Sequence, residues 1–299
     1  MKVSVIIPAY NAKATIDETL ASLTSQTFQE FEIVLVDDGS VDGTADYVRE
    51  RYPQVRVFSQ ANAGPAAARN YGVRESQGEW LAFLDADDAW LPWRLQLQLD
   101  LAAKFPDVGM FCGQTTDLVA SVPAPSAEQS LADGFVQFLS VADFVSSNPV
   151  ATTTVLLKRT LFLTCEGFDT QFIGPEDYEL WMRITAHSAV GKLQYPVSRY
   201  RDEVGSLSRN HETFLPEVLR VVEKAYAPGG VLRGHGSKGR ALAVQYMGAS
   251  WMASESQMNG AALKLLLRSY WACPLPLQIP GKRRHLRTIL LLAALKGLF

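Results

Sequence analysis

Cysteine is scarce in this 299-residue sequence: Cys112, Cys165 and Cys273 are odd in number, widely spaced and without a CxxC pair. Such a set supports neither a disulfide framework nor a structural zinc site. The four histidines, His187, His211, His235 and His285, lack metal-ligand spacing and read as structural or surface residues. Long apolar runs are missing too. The longest, Ile289 to Leu295, has seven residues, far short of the roughly 20 that a helix needs to cross a bilayer. The start, Met1-Lys2-Val3-Ser4-Val5-Ile6-Ile7-Pro8, has no small-residue cleavage site and reads as a strand, not a signal peptide. No GxGxxG turn follows it, which argues against an ordinary nicotinamide or flavin site.

What the chain does have is 47% hydrophobic and 20% charged residues, enough for a sizeable globular core and incompatible with a disordered or collagen-like chain. Its net charge of −3 hides an asymmetry. From Arg220 onward there are 12 basic residues against Glu223 and Glu255, a local charge of +10, so Met1 to Leu219 carries −13. The acidic portion is unsuited to gripping polyphosphate by charge alone. Nucleic acid is therefore not an expected partner, and a phosphate ligand there is expected to arrive with a divalent cation. The basic portion either faces anionic lipid or is a solvated surface.

Short β-rich runs alternate with helical periods from the start: strands at Val3 to Ile7, Phe31 to Val36, Val55 to Ser59, Trp80 to Leu84 and Val108 to Cys112. Helices are expected through Ile16, Leu20 and Leu23, then at Thr44 to Arg51, Pro65 to Glu75 and Leu91 to Phe105. Repeated βα units imply an α/β fold, a Rossmann-like mainly parallel sheet flanked by helices. Pro123, Pro125 and nearby serines read as a loop. Beyond it come an expected helix at Phe135 to Val145, a strand at Thr153 to Leu157, a helix at Glu176 to His187 and a strand near Leu193 to Arg201. After Leu215 strand signals cease, and Ala241 to Ser256 and Ala261 to Trp271 read as a helical hairpin broken around Asn259-Gly260. These patterns divide the chain into a domain over 1–215, a helical appendage over 216–275 and a basic, apolar tail over 276–299.

In an open parallel sheet, ligands bind beyond the carboxyl ends of the strands. Those ends are polar here: Pro8-Ala9-Tyr10-Asn11, Asp37-Asp38-Gly39-Ser40 and Asp85-Ala86-Asp87-Asp88. Tyr10 offers a flat face for a base. Asp85 and Asp87, two apart on an extended chain, point to one side, and hard carboxylate ligands suit Mg²⁺ or Mn²⁺ shared with a diphosphate. The alternative is a solvated acidic turn capping the next helix. Asp37 and Asp38 either bind a base or ribose or serve a turn. Arg69 is a surface residue, reaches the nucleotide, or orients an aspartate with its planar fork. Acids at Glu176 and Asp177 favour a helix dipole, yet a carboxylate there is also a reasonable general base.

Taken together, VSVIIPAYN at Val3 to Asn11, SQTFQEFEIVLVDDGSVDGT at Ser25 to Thr44, NAGPAAARNYG at Asn62 to Gly72, LAFLDADD at Leu81 to Asp88 and GPEDYELWMR at Gly174 to Arg183 resemble the family 2 glycosyltransferases, inverting enzymes of the glycosyltransferase A fold. The resemblance runs to about residue 210 and is weakest from Asp117 to Val150. It implies a nucleotide-binding set of Pro8, Tyr10, Asp37, Asp38, Arg69 and Asp85, with Tyr10 stacking near the base and Asp38 hydrogen-bonding it. Asp87 would ligate Mn²⁺ or Mg²⁺ directly, with Asp85 reaching the ribose or a metal-bound water. Asp177 matches the catalytic base and Glu176 its acidic neighbour.

The implied partners are a nucleotide-sugar donor, UDP-linked as the first expectation, and a saccharide or lipid-linked acceptor. Where relatives often carry a basic residue or histidine, Tyr200 to Ser208 has Asp202 and Glu203, so Arg199, Arg201 or Arg209 is expected to serve the diphosphate. QxxRW, the mark of processive synthases, is absent after the Asp177 helix, which points to single-sugar addition. The expected location is cytoplasmic, peripheral on the inner face of the membrane where Lys282 to Arg287 and Ile289 to Leu292 form an interfacial helix. Otherwise that tail covers a groove or joins a homodimer. A nucleotidyltransferase, which would show a basic glycine-rich loop after the first strand, and a catalytically silent binding module are the rival functions.

Overall fold

Val3, Val5, Ile7 and Ala9 alternate with Ser4, Ile6 and Pro8, so the two sets leave the chain on opposite faces. In the computed structural model, which describes residues 2–201, 210–277 and 286–296, this run is β1 (Val3–Ala9). It is followed by α1 (Ile16–Thr24), β2 (Phe31–Asp37), α2 (Thr44–Arg51), β3 (Val55–Ser59), α3 (Pro65–Glu75) and β4 (Trp80–Phe83). Then come β5 (Ala89–Trp90), α4 (Arg94–Lys104), β6 (Val108–Asp117), α5 (Ala127–Leu131), β7 (Val136–Leu139), β8 (Leu156–Lys158), α6 (Arg159–Thr164), α7 (Glu176–His187) and β9 (Ala189–Tyr200).

The nine strands form one sheet in the order β3-β2-β1-β4-β8-β6-β9-β5, with β7 on β9. Strands β1 to β4 are mutually parallel, as the βα repeats require. From β8 onward antiparallel partners enter: β8 opposes both β4 and β6. The odd-numbered face of β1 packs with Ile16, Leu20 and Leu23 of α1 and Leu95 and Leu99 of α4. Each such buried side chain contributes about 2 kcal/mol. On the other face α3 comes close to the sheet, since a Cβ on Gly72 would stand 2.5 Å from Ile6 Cγ2.

At the amino ends of the strands, polar groups replace apolar ones and are fully partnered. Buried Glu32 accepts from Ser4 Oγ at 2.7 Å, Gln77 N at 2.6 Å and Arg56 Nη1 at 2.7 Å. Arg159, at the start of α6, donates to the carbonyls of Gly78 and Val73 and to Ser76 Oγ.

Two compact units emerge, Met1–Ser140 with Val150–Asp202, and Val141–Pro149 with Glu203–Phe299. The expected boundary at residue 215 is corrected, because it falls inside one continuous helix, α8 (His211–Tyr226). Helices α9 (Lys238–Glu255), α10 (Asn259–Ala272) and α11 (Leu286–Lys296) complete the second unit. Ser250 Oγ donates to Ala262 O at 2.8 Å and Ser269 Oγ to Ala243 O at 2.5 Å. These bonds run in opposite directions along α9 and α10, so the pair is an antiparallel hairpin. Its break lies at Ser256 to Met258, with Gln257 at φ 60°, and Asn259-Gly260 already belongs to α10. On α11, Arg287 donates to Ser269 and to the carbonyls of Cys273 and Leu275, and Leu290 packs with Met247 and Leu266. The described tail is thus a docking helix; Lys282, Arg283 and Arg284 lie outside the described residues.

Three other expectations give way. Phe135 to Val145 is not a helix but β7 followed by a 3₁₀ turn at Val141–Phe144. Its aromatic and β-branched residues fit a pleated surface, and they pair with β9 from Val136↔Leu193 to Leu139↔Val190. Thr152–Thr154 is a 3₁₀ turn, which leaves only Leu156–Lys158 as strand. The Ser121 to Ser130 loop contains α5, closed by a reciprocal capping box between Ser126 and Gln129.

Gly78 tests the packing of this end of the sheet. A Cβ there would lie 2.5 Å from Ser4 N and 2.7 Å from Val3 C, backbone that cannot step aside. Gly78→Ala is expected to lose about 3 kcal/mol of stability, read as a lower urea midpoint with unchanged slope.

Candidate active site

Parallel strands deliver their following loops to one end of the sheet, and four polar segments meet there. Pro8 stands two residues past the last β1–β4 pair, Ile6 with Phe83. Beyond it Tyr10 is 54% exposed. Asn11, at φ 50°, stitches this loop to the next: its N–H donates to Ser40 Oγ and its Oδ1 accepts from Val41 N.

Asp37 and Asp38 end β2 with different surroundings. The Asp38 carboxylate accepts from Gln60 Nε2 at 2.7 Å, Ala63 N at 2.9 Å and Gly64 N at 2.9 Å, and so holds the loop that starts α3. Asp37 Oδ1 is buried without a hydrogen-bond partner among the described residues. The family resemblance implies Asp38 as the group that reads a base. The structure shows Asp38 bonded to the loop and Asp37 Oδ1 with no partner among the described residues.

Arg69 joins two of the predicted acidic segments. From α3 its guanidinium donates through Nη2 to Asp85 Oδ1 at 2.7 Å and through Nη1 to Glu176 Oε1 at 2.9 Å. It lies over the Phe168 ring, 5.5 Å from its centroid. Burial works against the charge, but Asp85 and Glu176 outweigh it and hold the proton more tightly than usual. Arg69 is buried, not a surface group, and its fork meets Asp85 and Glu176.

Glu176 is also buried, and its second oxygen accepts from Gly174 N at 2.8 Å. This expected acidic neighbour of Asp177 has one oxygen on Arg69 and the other on Gly174 N. Asp177, next along α7, is half-buried. Its Oδ2 accepts from Thr152 Oγ1 at 2.9 Å and its Oδ1 from Tyr178 N at 2.6 Å. Surrounding protein and the Glu176 charge push the carboxyl up to about 7, against the opposing pull of Thr152, Arg69 and Tyr178 N–H.

The turn after β4 gathers Asp85, Asp87 and Asp88. Asp88 is buried and pushed up to about 8, by burial first and then by the charge of Asp85 and, further down, of Asp87. Its Oδ1 accepts from Arg201 N at 3.0 Å, while Oδ2 has no partner among the described residues. Arg201 Nε also donates to Asp87 O at 3.0 Å, whereas Arg199 Nε donates to Ala120 O at 3.2 Å. Of the expected arginines, Arg201 therefore stands at the acidic turn; Arg209 lies outside the described residues.

Among the described residues no three His, Cys, Asp or Glu side chains form a cage for a metal. Mutually repelling carboxylates and an orphaned Asp88 oxygen nevertheless fit a hard divalent cation whose remaining ligands come from outside the protein.

Thr152 and Thr153 were not singled out from sequence. Thr152 bonds Asp177, and the Thr153 hydroxyl pairs with Ser198 Oγ at 3.2 Å. Their turn is fixed from behind: Trp90 Nε1 donates to Thr153 O, Gln98 Nε2 to Thr154 O and Arg94 Nη2 to Val155 O, all at 2.9 Å. The available signal was three consecutive threonines opening an otherwise apolar run. An open depression lined by Thr24, Phe31, Glu32 and Arg56 lies at the opposite end of β2 and takes no part in this site.

Comparisons with known proteins bear on the family and the fold. The sequence profile described as Glycosyl transferase family 2 matches residues 4–137. An uncharacterized glycosyltransferase of Rickettsia felis is 31% identical over 207 residues, covering 69% of this chain and 34% of that protein. UDP-Glc:alpha-D-GlcNAc-diphosphoundecaprenol beta-1,3-glucosyltransferase WfgD of Escherichia coli is 29% identical over 217 residues, 70% of this chain and 80% of that protein. The chain spans about a third of the Rickettsia relatives and 61% of one from Haemophilus influenzae.

Among solved structures, S. aureus TarS 1-349 in complex with UDP-GlcNAc superposes with a TM-score of 0.64 at 20% identity, over 92% of this chain and 82% of that one. Mannosyltransferase PcManGT from Pyrobaculum calidifontis, in complex with GDP-Man and Mn2+, gives 0.60 at 21% identity, over 100% and 87%. At such identities the likeness establishes the fold, an α/β sheet flanked by helices as in glycosyltransferase A proteins. Through its N-terminal half, the chain belongs to glycosyl transferase family 2.

Proposed function

We propose that the chain transfers a single sugar, with inversion, from a nucleotide-diphosphate sugar to an acceptor hydroxyl in cell-surface polysaccharide or glycolipid assembly. The observation that carries the reading is the Arg69 bridge, which draws the Asp85 turn and the Asp177 helix into one site. Tyr10 offers its ring to the base, and Asp37 Oδ1 accepts from a base N–H or a ribose hydroxyl. UDP is the proposed nucleotide; the name of WfgD gives UDP-Glc as its donor and a diphosphoundecaprenol-linked GlcNAc as its acceptor. By analogy a saccharide or lipid-linked acceptor is proposed, with the chain peripheral on the inner face of the membrane.

Asp177 takes the proton of the acceptor hydroxyl as that oxygen attacks the anomeric carbon from the face opposite the leaving diphosphate. A group held near pH 7 suits this task, because it is ionised in part at neutral pH and still basic enough to accept. Thr152 fixes the carboxylate's direction, and Glu176 with Arg69 fixes the start of α7. Asp87, with Asp85, would hold Mn²⁺ or Mg²⁺, and such an ion neutralises charge growing on the diphosphate. Glycosyl transferase family 2 membership and the Mn2+-bound mannosyltransferase neighbour support this divalent-metal reading.

Asp177→Asn is expected to lower transfer by about 10²- to 10⁴-fold while nucleotide-sugar binding persists; full transfer activity in this variant removes the assigned base. Wild-type rate should climb from pH 6 to pH 8, following ionisation near 7. Thr152→Val removes a bond that favours the ionised form, so the acid limb should move up by about one pH unit. Stability should respond in the opposite sense to activity. A carboxyl at about 7 when folded and near 3.8 when unfolded binds its proton more tightly in the native state. Its contribution is then full below pH 4 and is lost as pH rises to 7. Asp177→Asn should therefore melt higher than wild type by a margin that grows from pH 4 and levels off above pH 7. Finally, Mn²⁺ should enlarge the thermal shift produced by UDP-GlcNAc, and Asp87→Asn should abolish that increment while leaving the metal-free shift.

A further inference from the structure

The hairpin of the second unit turns an unusual face to solvent. On α10, Ala262, Leu265, Leu266 and Ser269 are buried against the unit's own helices. Lys264, Leu267, Arg268 and Trp271 are exposed and, at 3.6 residues per turn, share an arc of about 100°. Trp271 is 90% exposed, Leu267 57%, and Leu275, just past the helix end, 70%. A tryptophan left so open gains nothing from the fold, so its surface is available to something else.

The stretch of sequence that carries it has charge of one sign. From Ser256 to Phe299 the sequence contains no aspartate or glutamate and seven lysines or arginines. Two apolar side chains and two cations on one arc, with a second leucine beyond, match a helix lying in the plane of a lipid interface. Tryptophan and leucine enter the headgroup and acyl boundary there, and the long cationic side chains reach for phosphate. Among the described residues no helix is long and apolar enough to cross a membrane, so contact in the plane is the mode this face supports.

A second copy is the poorer occupant, since a symmetric contact would set Lys264 and Arg268 against their own equivalents. The final helix is a poorer candidate as well. Arg287, which sequence would place toward lipid, is buried in bonds to Ser269, Cys273 and Leu275, and Leu290 is buried beside Leu266.

We infer that the Lys264–Leu267–Arg268–Trp271 face of α10, extended by Leu275, is the surface by which this chain docks on an anionic phospholipid bilayer. The inference rests on the peripheral-membrane part of the proposed function and is independent of the chemistry at Asp177.

The full chain should float with vesicles of phosphatidylcholine and phosphatidylglycerol at low salt, bind poorly to phosphatidylcholine alone, and release at high salt. Lys264→Glu with Arg268→Glu should weaken anionic-vesicle binding by roughly 10- to 100-fold, and Trp271→Ala by about 10-fold. All are exposed positions, so unchanged circular dichroism and melting temperature check that each variant is folded.

Wild-type chain that stays off anionic vesicles at low salt overturns the inference. So does binding that survives both α10 variants and is lost in Arg283→Glu with Arg284→Glu. A wild-type dimer that Trp271→Ala converts to a monomer, with no vesicle binding in either form, assigns the face to self-association and overturns it too. The UDP-GlcNAc thermal shift, measured on the same samples, separates the two readings: its absence counts against the sugar-transfer assignment and leaves the vesicle result standing.

Discussion

Everything at the carboxyl end of the sheet depends on one buried cation. Arg69 has been taken out of water, and a guanidinium in that position is tolerable only where carboxylates meet it with good geometry. Asp85 and Glu176 do so, one from the turn after β4 and one from the first turn of α7. Removing either would strand charge in the interior. The three segments are therefore held in mutual register by electrostatic necessity, whatever ligand arrives. Phe168 closes the remaining side of the guanidinium and packs in turn on Phe83 and Trp181, so the polar bridge rests on an aromatic floor.

Around that bridge, chemically identical carboxyl groups have been given different work by their surroundings. Glu176 and Asp38 have both oxygens engaged by donors and serve as struts. Asp177 is raised toward neutrality by enclosure and by its neighbour's charge, the condition of a usable base. Asp88 is raised further, by burial and by crowding with Asp85 and Asp87. Groups of one type driven apart in proton affinity mark acid–base and cation-binding sites more reliably than a motif does. The threonine turn holds one of the raised carboxyls, with Thr152 on Asp177, and three side chains from β5 and α4 grip its carbonyls.

Much of this was legible in the sequence, for reasons that differ by element. The strands β1 to β4 and the helices between them announce themselves because a fully buried parallel strand is a short apolar run and its helix keeps a 3.6-residue period. Helix α7 was legible at both ends, since an acidic first turn follows a Gly-Pro and a serine ends the apolar period. The segment Phe135 to Val145 misled because its apolar spacing suits either period, and only pairing with β9, distant in sequence, decides for strand. Helix α8 carries Pro216 within it, a residue that reads as a boundary. Asp38 and Asp37 could not be ranked from sequence, because their difference lies in three donors contributed by residues 60 to 64. Thr152 was invisible for the same reason: its partner is 25 residues away.

Polar satisfaction is distributed unevenly between the two ends of the strands, and that unevenness carries information. At the amino ends, Glu32 accepts three bonds, Ser4 links it to Gly78, and Arg159 spreads its donors over carbonyls and hydroxyls. None of those side-chain atoms is among the buried unpartnered ones of the described residues. At the carboxyl ends, Asp37 Oδ1, Arg69 Nε and Asp88 Oδ2 are three of the five buried side-chain atoms without a partner among the described residues. A fold selected for stability alone would pair or replace such groups, since each costs about 1 to 3 kcal/mol. Their concentration at the carboxyl ends of the strands fits the proposed site there, one completed by something polar from outside the chain.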